Sequence, residues 1–243
     1  MPWRAAFALS ILLVVTAARA QPTGWLDRLG GPSAIRALSA ENAETRRDAA
    51  RSLGHAGEPR RASAALAERL GEEDDPRVRR AILESLARRG DPSTVAAIAA
   101  RLADWPRQDR ALALGTLGAI GGDEATRVLA DWIGAADVGE EASDALVRLG
   151  PSALPQLLRS LVLPPTTARA ARALGRIGDA RATAPLVRRR ASAAPALRPD
   201  LLRALAELGD PRASTAGARL LEDPDDAVVV AALEAIARLG GAD

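Results

Sequence analysis

The sequence predicts an all-α fold: a right-handed α-α superhelix, or α-solenoid, of about seven stacked helix pairs. The first observation is a glycine that recurs about every 30 residues, at Gly57, Gly90, Gly121, Gly150, Gly178, Gly209 and Gly240. The second is a large aliphatic residue four positions before each glycine: Leu53, Leu86, Leu117, Leu146, Leu174, Leu205 and Ile236. A period of this length is typical of chains in which each helix pair buries its apolar face against neighbouring pairs.

Each repeat is predicted to consist of a helix A, a tight turn at the glycine and a helix B. In the unit from residue 75 to 104, Asp75 is a capping residue and the proline after it suits the first helical position. Val78, Ile82 and Leu86 then share one helix face, and Gly90 ends the helix because glycine tolerates a positive φ. The pattern predicts helices A at about 40–56, 75–89, 106–120, 139–149, 166–177, 195–208 and 225–239, and helices B at about 59–70, 92–103, 123–134, 151–162, 180–192 and 211–222.

Residues 1–20 have the pattern of a secretory signal peptide: a short basic start, an apolar run and small residues before the cleavage point. Cleavage is expected after Ala20, which predicts an exported bacterial protein, periplasmic or secreted. The apolar run is too short to span about 30 Å of hydrocarbon, so no stable membrane insertion is expected. Residues 21–39 are predicted to form an N-terminal capping half-repeat, and residues 40–243 the repeat domain.

Charge and composition argue against nucleic acid as a partner. The full chain has 33 basic and 31 acidic residues, and every basic residue is arginine. Removal of residues 1–20 leaves 31 arginines and 31 acids, a net charge of zero. The chain has no lysine or tyrosine, so a high isoelectric point reflects missing titratable groups rather than excess positive charge. It also has no cysteine, which excludes disulfides and thiol chemistry.

Residues 168–187, A-R-A-A-R-A-L-G-R-I-G-D-A-R-A-T-A-P-L-V, resemble the HEAT-like repeats of phycobilisome lyases, and residues 78–90 and 225–240 have the same pattern. The resemblance covers almost all of residues 21–243 and implies the solenoid fold without implying one activity. It also implies a ladder between repeats, in which an aspartate at the start of helix B pairs with an arginine in helix A. The matching positions are Asp91, Asp179 and Asp210, and Arg46, Arg79, Arg110 and Arg198. The fourth and seventh repeats lack both residues, so the ladder is expected to be incomplete.

Catalytic and metal-binding patterns are weak in this sequence. His55 is the one histidine and is expected to be a solvated turn residue; no G-x-S-x-G supports a Ser-His-Asp relay through it. The acidic runs at 72–75 and 222–226 precede helices A, where acids favour the positive end of the helix dipole, and neither has the EF-hand spacing, so both are expected to be capping, solvated residues. No catalytic residue, cofactor site or metal site is predicted.

A row of arginines late in helices B is the main candidate for partner binding. Because helices B usually line the inner face of a solenoid, such a row suits carboxylate, sulfate or phosphate groups. The alternative is that these arginines only complement the C-terminal helix dipoles. Trp105 and Trp132 are further candidates, either as exposed stacking surfaces or as packing between repeats. The arginines are Arg69, Arg101, Arg159, Arg188, Arg189, Arg190 and Arg219.

These features predict a non-enzymatic, exported scaffold that binds a protein or an extended peptide along its helix-B surface. One alternative is a cell-envelope protein that binds an anionic glycan through Trp105, Trp132 and Arg188–Arg190. Another, by analogy of fold, is an accessory subunit of a lyase or maturation enzyme.

Overall fold

The computed structural model describes residues 31–209 and, beyond them, only positions 218, 226, 229, 230, 232–234 and 237. Within residues 31–209, all regular secondary structure is helical, with no strand. Their helices are α1 Gly31–Ala37, α2 Ala43–Leu53, α3 Pro59–Glu72, α4 Pro76–Arg89, α5 Val95–Ala99, α6 Arg107–Ile120, α7 Gly122–Trp132, α8 Gly139–Leu149, α9 Leu154–Ser160, α10 Pro164–Ile177, α11 Thr183–Ala191 and α12 Arg198–Glu207. The predicted signal peptide, helix 211–222 and most of helix 225–239 lie outside the described residues.

Helices A and B alternate as the sequence predicts: α2, α4, α6, α8, α10 and α12 are helices A, and α3, α5, α7, α9 and α11 are helices B. Three helices B begin with a 3₁₀ turn, at Pro92–Thr94, Gly150–Ala153 and Ala180–Ala182. In two of these turns an aspartate forms the N-cap: the Asp91 carboxylate accepts from the Ser93 N–H, and Asp179 accepts from Arg181 N–H.

The turn glycines that follow helices A have positive φ at Gly90, Gly121, Gly150, Gly178 and Gly209, with values from 61° to 74°. This confirms the predicted reason for glycine at those positions. The first turn differs. Helix α2 ends at Leu53, three residues earlier than predicted, and the positive φ falls on Glu58 (52°) rather than on Gly57. Gly240 lies outside the described residues.

The chain divides into two compact units, residues 1–85 and 86–243. The described part of the first unit contains α1 to α3 and α4 up to Ser85. Helix α1 packs on α2, and α2 packs on α3. Its largest fully buried side chains include Leu53, Leu66, Leu70 and Ile82, of which Leu53 and Ile82 are positions that the sequence pattern places on an apolar face.

The second unit has the two-layer packing of an α-solenoid, so the predicted fold class is confirmed. Helices A pack on the next helices A, in the order α6, α8, α10 and α12. Helices B pack likewise on one another, in the order α5, α7 and α9. The predicted column of aliphatic residues fills the interior: Leu86, Leu117, Leu146, Leu174 and Leu205 are at most 1% exposed.

Small residues bring neighbouring helices A close together. A Cβ placed on Gly118 of α6 would lie 2.9 Å from the Cβ of Ala145 on α8. Ala145 itself is fully buried. Glycine at 118 therefore permits an approach that a larger residue would prevent.

Candidate functional site

A groove between α9 and α11, in the second unit, brings together several of the predicted candidates. Its volume is about 480 Å³, and it is lined by Leu158, Leu161, Val162, Pro185, Arg188, Arg189 and Ser192. We call it the Arg188 groove. The lining combines an aliphatic floor with two guanidinium groups and contains no acidic side chain.

The chain around the end of α9 explains the aliphatic floor. Helix α9 ends at Ser160, and the next three residues, Leu161, Val162 and Leu163, precede the two prolines that begin α10. Proline suits the first turn of a helix because it needs no N–H partner there. Leu161 turns inward and is 2% exposed, whereas Val162 and Leu163 are 69% and 57% exposed. Two large aliphatic side chains are thus left in solvent beside the groove.

Arg189 ties the two walls of the groove together. Its Nε donates to the carbonyl oxygen of Leu161 at 2.7 Å, and its NH2 lies 3.4 Å from the Thr167 hydroxyl. The Ser192 hydroxyl donates to the Arg189 carbonyl oxygen at 3.1 Å. Arg189 is half-buried and largely engaged in these contacts. It fixes the end of α9 against α11.

Arg188 is the available cation of the groove. It is exposed, and its guanidinium forms no ion pair or hydrogen bond with any described residue. Arg159, on α9, is likewise exposed and without such a partner, although it does not line the groove.

The surrounding sequence is strongly basic. Residues 145–199 contain ten arginines and one acid, Asp179. Four of these arginines are neutralised: Arg169 and Arg172 bind Glu140 at 2.9 and 3.0 Å, Arg176 binds Asp144 at 2.6 Å, and Arg181 binds Asp179 at 2.6 Å.

These ion pairs lower the pKa values of two acids. Burial raises the pKa of Glu140, but the hydrogen bond from Arg169 and the charge of Arg172 outweigh it, so the net shift is downward. Hydrogen bonds from the Arg181 side chain and N–H lower the pKa of Asp179 to about 2. Both carboxylates are therefore charged over the physiological range and remain paired.

The other predicted arginines lie in different surroundings. Arg69 binds Glu73 through its Nε at 2.8 Å and is 20% exposed. Arg101 is 3.8 Å from Asp104, and Arg190 is half-buried on α11. Arg219 lies outside the described residues. Of the predicted row, the structure brings only Arg188 and Arg189 into one groove.

Glu73 is the centre of a buried ionic cluster in the first unit that sequence reasoning did not find. Its side chain is 1% exposed and its two oxygens accept from Arg46 Nε and NH2, at 2.8 and 2.9 Å. Arg69 Nε and the Asp75 N–H also donate to it. Burial raises the pKa of Glu73, but the two guanidinium groups and this N–H lower it to about 2. The expectation that this acidic run is solvated is wrong for Glu73, whereas Asp75 does cap α4, accepting from Arg77 N–H at 2.8 Å.

The helix-A arginines form rungs with different acids from those the resemblance implies. Arg46 reaches Glu73 and Arg110 reaches Asp137 at 2.6 Å, and each acid lies 27 residues further along, in the loop before the next helix A. Arg79 instead binds the backbone carbonyl oxygens of Glu73 and Asp74. Asp91 and Asp179 cap their own 3₁₀ turns, and Asp210 lies outside the described residues.

The two tryptophans offer little surface for stacking. Trp105 is buried, with 4% of its area exposed, so no face of its ring is open to a ligand. Trp132 is half-buried at the end of α7, and the Arg110 guanidinium lies 5.7 Å from the centre of its ring. That distance permits a cation–π contact, which occupies one face of Trp132.

His55 is exposed in the turn after α2. Within residues 31–209 and the scattered positions beyond, no group of three His, Asp or Glu side chains could hold a metal ion. None of the helices described for this chain is long and apolar enough to cross a membrane.

Sequence reasoning missed the aliphatic part of the groove: Leu158, Leu161, Val162, Leu163 and Pro185. One signal for it exists in the sequence. Val162 and Leu163 follow the buried Leu161 in the fourth repeat, whereas the first three repeats have Gly-Glu (71–72), Ala-Asp (103–104) and Gly-Ala (134–135) after the equivalent aliphatic residue.

Two segments of the chain match known repeat families. Residues 31–114 match the family described as HEAT repeats, and residues 168–189 match the family described as PBS lyase HEAT-like repeat. The second match includes most of α10, most of α11 and both arginines of the groove. These segments carry HEAT repeats, as the sequence pattern predicts. No curated protein matches it.

Several solved structures are similar in fold. Human deoxyhypusine hydroxylase in complex with glycerol is 18% identical, with 91% of this chain and 92% of that chain covered and a TM-score of 0.43. The complex of CpcE and CpcF of phycocyanin lyase from a Nostoc species is 20% identical, with 87% and 95% covered and a TM-score of 0.47. A designed armadillo repeat protein is 16% identical, with 86% and 99% covered and a TM-score of 0.33. At TM-scores this low, the similarities do not bear on function.

Proposed function

We propose that this protein is an exported, non-enzymatic HEAT-repeat scaffold that binds a polypeptide partner in the Arg188 groove. The observation that carries the proposal is the combination, in one groove, of an unpaired exposed arginine with exposed aliphatic side chains. Charged groups give such a surface specificity, and aliphatic groups give it affinity.

The HEAT repeats support a polypeptide as the partner, because repeats of this kind generally mediate contacts between proteins. The groove lies between consecutive helices B, the layer that carries binding surfaces in many solenoids. Export rests on the signal-peptide pattern of residues 1–20, and the non-enzymatic role on the absence of a catalytic motif from the sequence.

A second candidate is an accessory subunit of a lyase or maturation enzyme. It is favoured by the match of residues 168–189 to the PBS lyase HEAT-like repeat, because this segment forms one wall of the groove. Incubation with a chromophore and an acceptor protein tests it, and transfer of colour that depends on this chain would support it. No transfer would dispose of this candidate.

Affinity capture from envelope and secreted fractions tests the scaffold function. The bait is the protein purified after expression of the full chain, beside an Arg188→Ser variant. Arg127→Ser is the matched control, because Arg127 is an exposed arginine on α7 that lies outside the groove lining. A polypeptide retained by the wild type and the control, and lost with Arg188→Ser, is expected. Equal retention by all three proteins would overturn the proposal.

Export has its own test. Expression of the full chain in a bacterial host, followed by fractionation and N-terminal sequencing, is expected to give a periplasmic or secreted product that begins at Gln21. A full-length product that stays in the cytoplasm would contradict export but would not bear on the proposed binding in the groove.

A further inference from the structure

We propose that the Arg188 groove recognises an acidic polypeptide segment in which an aliphatic residue lies next to carboxylate side chains. This inference rests on the proposed scaffold function and names the chemistry of its partner. It follows from the arginine and aliphatic side chains in the groove, from the absence of an acid among its lining residues, and from the charge of the surrounding chain.

The cationic side of the groove requires an anion. Arg188 has no acidic partner among the described residues, and no acid lines the groove. The guanidinium group offers two parallel N–H donors that match the geometry of a carboxylate. Four of the ten arginines in residues 145–199 are paired with acids, but Arg159 and Arg188 are exposed without an acidic partner among the described residues, so an acidic segment meets a favourable potential and a basic one is repelled.

The apolar side of the groove requires an aliphatic group. Leu158, Leu161 and Pro185 form the floor, and Val162 stands 69% exposed at the edge. Leu163, next to Val162, is 57% exposed and extends this apolar surface beyond the lining. A ligand side chain that covers these groups removes them from water, at a gain of about 25 cal/mol for each Å² of apolar area.

The size and openness of the site favour a peptide segment. A volume of about 480 Å³ accommodates a few side chains rather than the whole face of a folded domain. The exposed Val162 and Leu163 carry the apolar surface beyond the groove lining, which suits a peptide chain better than a small compact anion.

Arg188 and Arg189 have different tasks. Arg189 donates to the Leu161 carbonyl oxygen at 2.7 Å, so it fixes the end of α9 relative to α11. Arg188, one residue before it, is free to bind the carboxylate. A substitution at 189 would therefore disturb the groove itself, and Arg188 is the position at which recognition can be tested alone.

The test is a titration of the purified protein into a fluorescein-labelled peptide, followed by fluorescence anisotropy. The peptide has a Gly-Ser frame that carries one leucine followed by three glutamates. Two companion peptides carry lysines in place of the glutamates, or serine in place of the leucine. Binding is expected for the acidic leucine peptide, with a loss for the lysine peptide and weaker binding for the serine peptide.

Three variants assign this binding to the groove. Arg188→Gln is expected to weaken it about tenfold, because a hydrogen-bonded charge is lost. Arg188→Lys keeps the charge but lacks the two parallel donors, so an intermediate loss is expected. Arg127→Gln removes the same charge elsewhere and is expected to bind like the wild type. Circular dichroism of each variant excludes unfolding as the cause.

Two results would overturn the inference: equal binding of the acidic and lysine peptides, or an equal loss in Arg188→Gln and Arg127→Gln. If the peptides fail while affinity capture still recovers an Arg188-dependent polypeptide, the partner chemistry is wrong and the scaffold function stands. If affinity capture also recovers no Arg188-dependent polypeptide, the proposed scaffold function is wrong as well.

Discussion

Arg46 binds both carboxylate oxygens of Glu73, a residue 27 positions further along the chain, at 2.8 and 2.9 Å. Each partner is largely buried: the Arg46 side chain is 12% exposed and the Glu73 side chain 1%. Hydrogen bonds from two guanidinium groups and a backbone N–H offset the desolvation cost of burying this carboxylate. Removal of its charge would leave two cations facing each other. The loop between α3 and α4 therefore depends on one side chain.

Glu73→Gln is expected to lower the free energy of unfolding of the first unit by about 3 kcal/mol, because it leaves Arg46 and Arg69 without their counter-ion. Urea unfolding followed by circular dichroism measures the loss. The matched control is Glu72→Gln, since Glu72 is 72% exposed and 4.0 Å from Arg69, a surface pair worth at most about 1 kcal/mol. Equal effects of the two substitutions would contradict a buried cluster.

The same cluster predicts a dependence on pH. The folded-state pKa of Glu73 is about 2, below its ordinary value of 4.5, so its contribution is complete above pH 4.5. That contribution is lost as the pH falls from 4.5 toward 2, because the unfolded chain then binds a proton that the folded chain does not. The gap in unfolding free energy between wild type and Glu73→Gln is expected to narrow over this range. A gap independent of pH would contradict the lowered pKa.

Alanine substitutions at two glycines of the same helix are expected to have opposite effects on stability. Gly115 of α6 has no atom within 4 Å of the place where a Cβ would lie, so Gly115→Ala is expected to stabilise the protein by about 1 kcal/mol through helix propensity. At Gly118 the added Cβ would meet the Cβ of Ala145 at 2.9 Å, and Gly118→Ala is expected to destabilise it by about 1–2 kcal/mol. Thermal unfolding compares the two variants. Effects of the same sign would argue against the close packing of α6 on α8.

Proline at position 171 tests the repeat architecture. Ala171 is fully buried in the interior of α10, where proline removes a helical hydrogen bond and clashes with the preceding turn, at a cost of about 3 kcal/mol. Because each repeat is stabilised by its neighbours, Ala171→Pro is expected to split unfolding into separate steps. Urea titration with hydrogen exchange as a second probe resolves the steps, and one transition with an unchanged midpoint would refute the repeat model.

The helices could be predicted from the sequence because each depends on local signals. Turn glycines such as Gly90 and Gly178, and the leucine four residues before each, mark where helices A end and which face they bury. The exception is α2, which ends early at Leu53, and in the turn that follows it the positive φ falls on Glu58 instead of Gly57. The sequence pattern alone does not show which residue of a turn adopts the positive φ.

The site could be predicted only in part, because it depends on distances between helices. The Arg188–Arg190 run was visible, but whether each guanidinium points to solvent, to a carbonyl oxygen or into the interior depends on a rotation of about 100° per residue. Glu73 shows the same limit. In the sequence it is one of four consecutive acids, and it is buried beside Arg46, which packing of the helices brings to it from 27 positions earlier.

The uneven charge of the chain has a kinetic consequence. The formal net charge is +2, yet residues 145–199 alone carry +9, so the rest of the sequence is acidic. A small overall charge lets this protein approach other macromolecules of either sign without strong repulsion. For the acidic partner proposed above, charge close to the basic segment is expected to raise the rate of encounter, and dissolved ions are expected to lower it. Salt would then slow the association of such a partner more than it hastens dissociation.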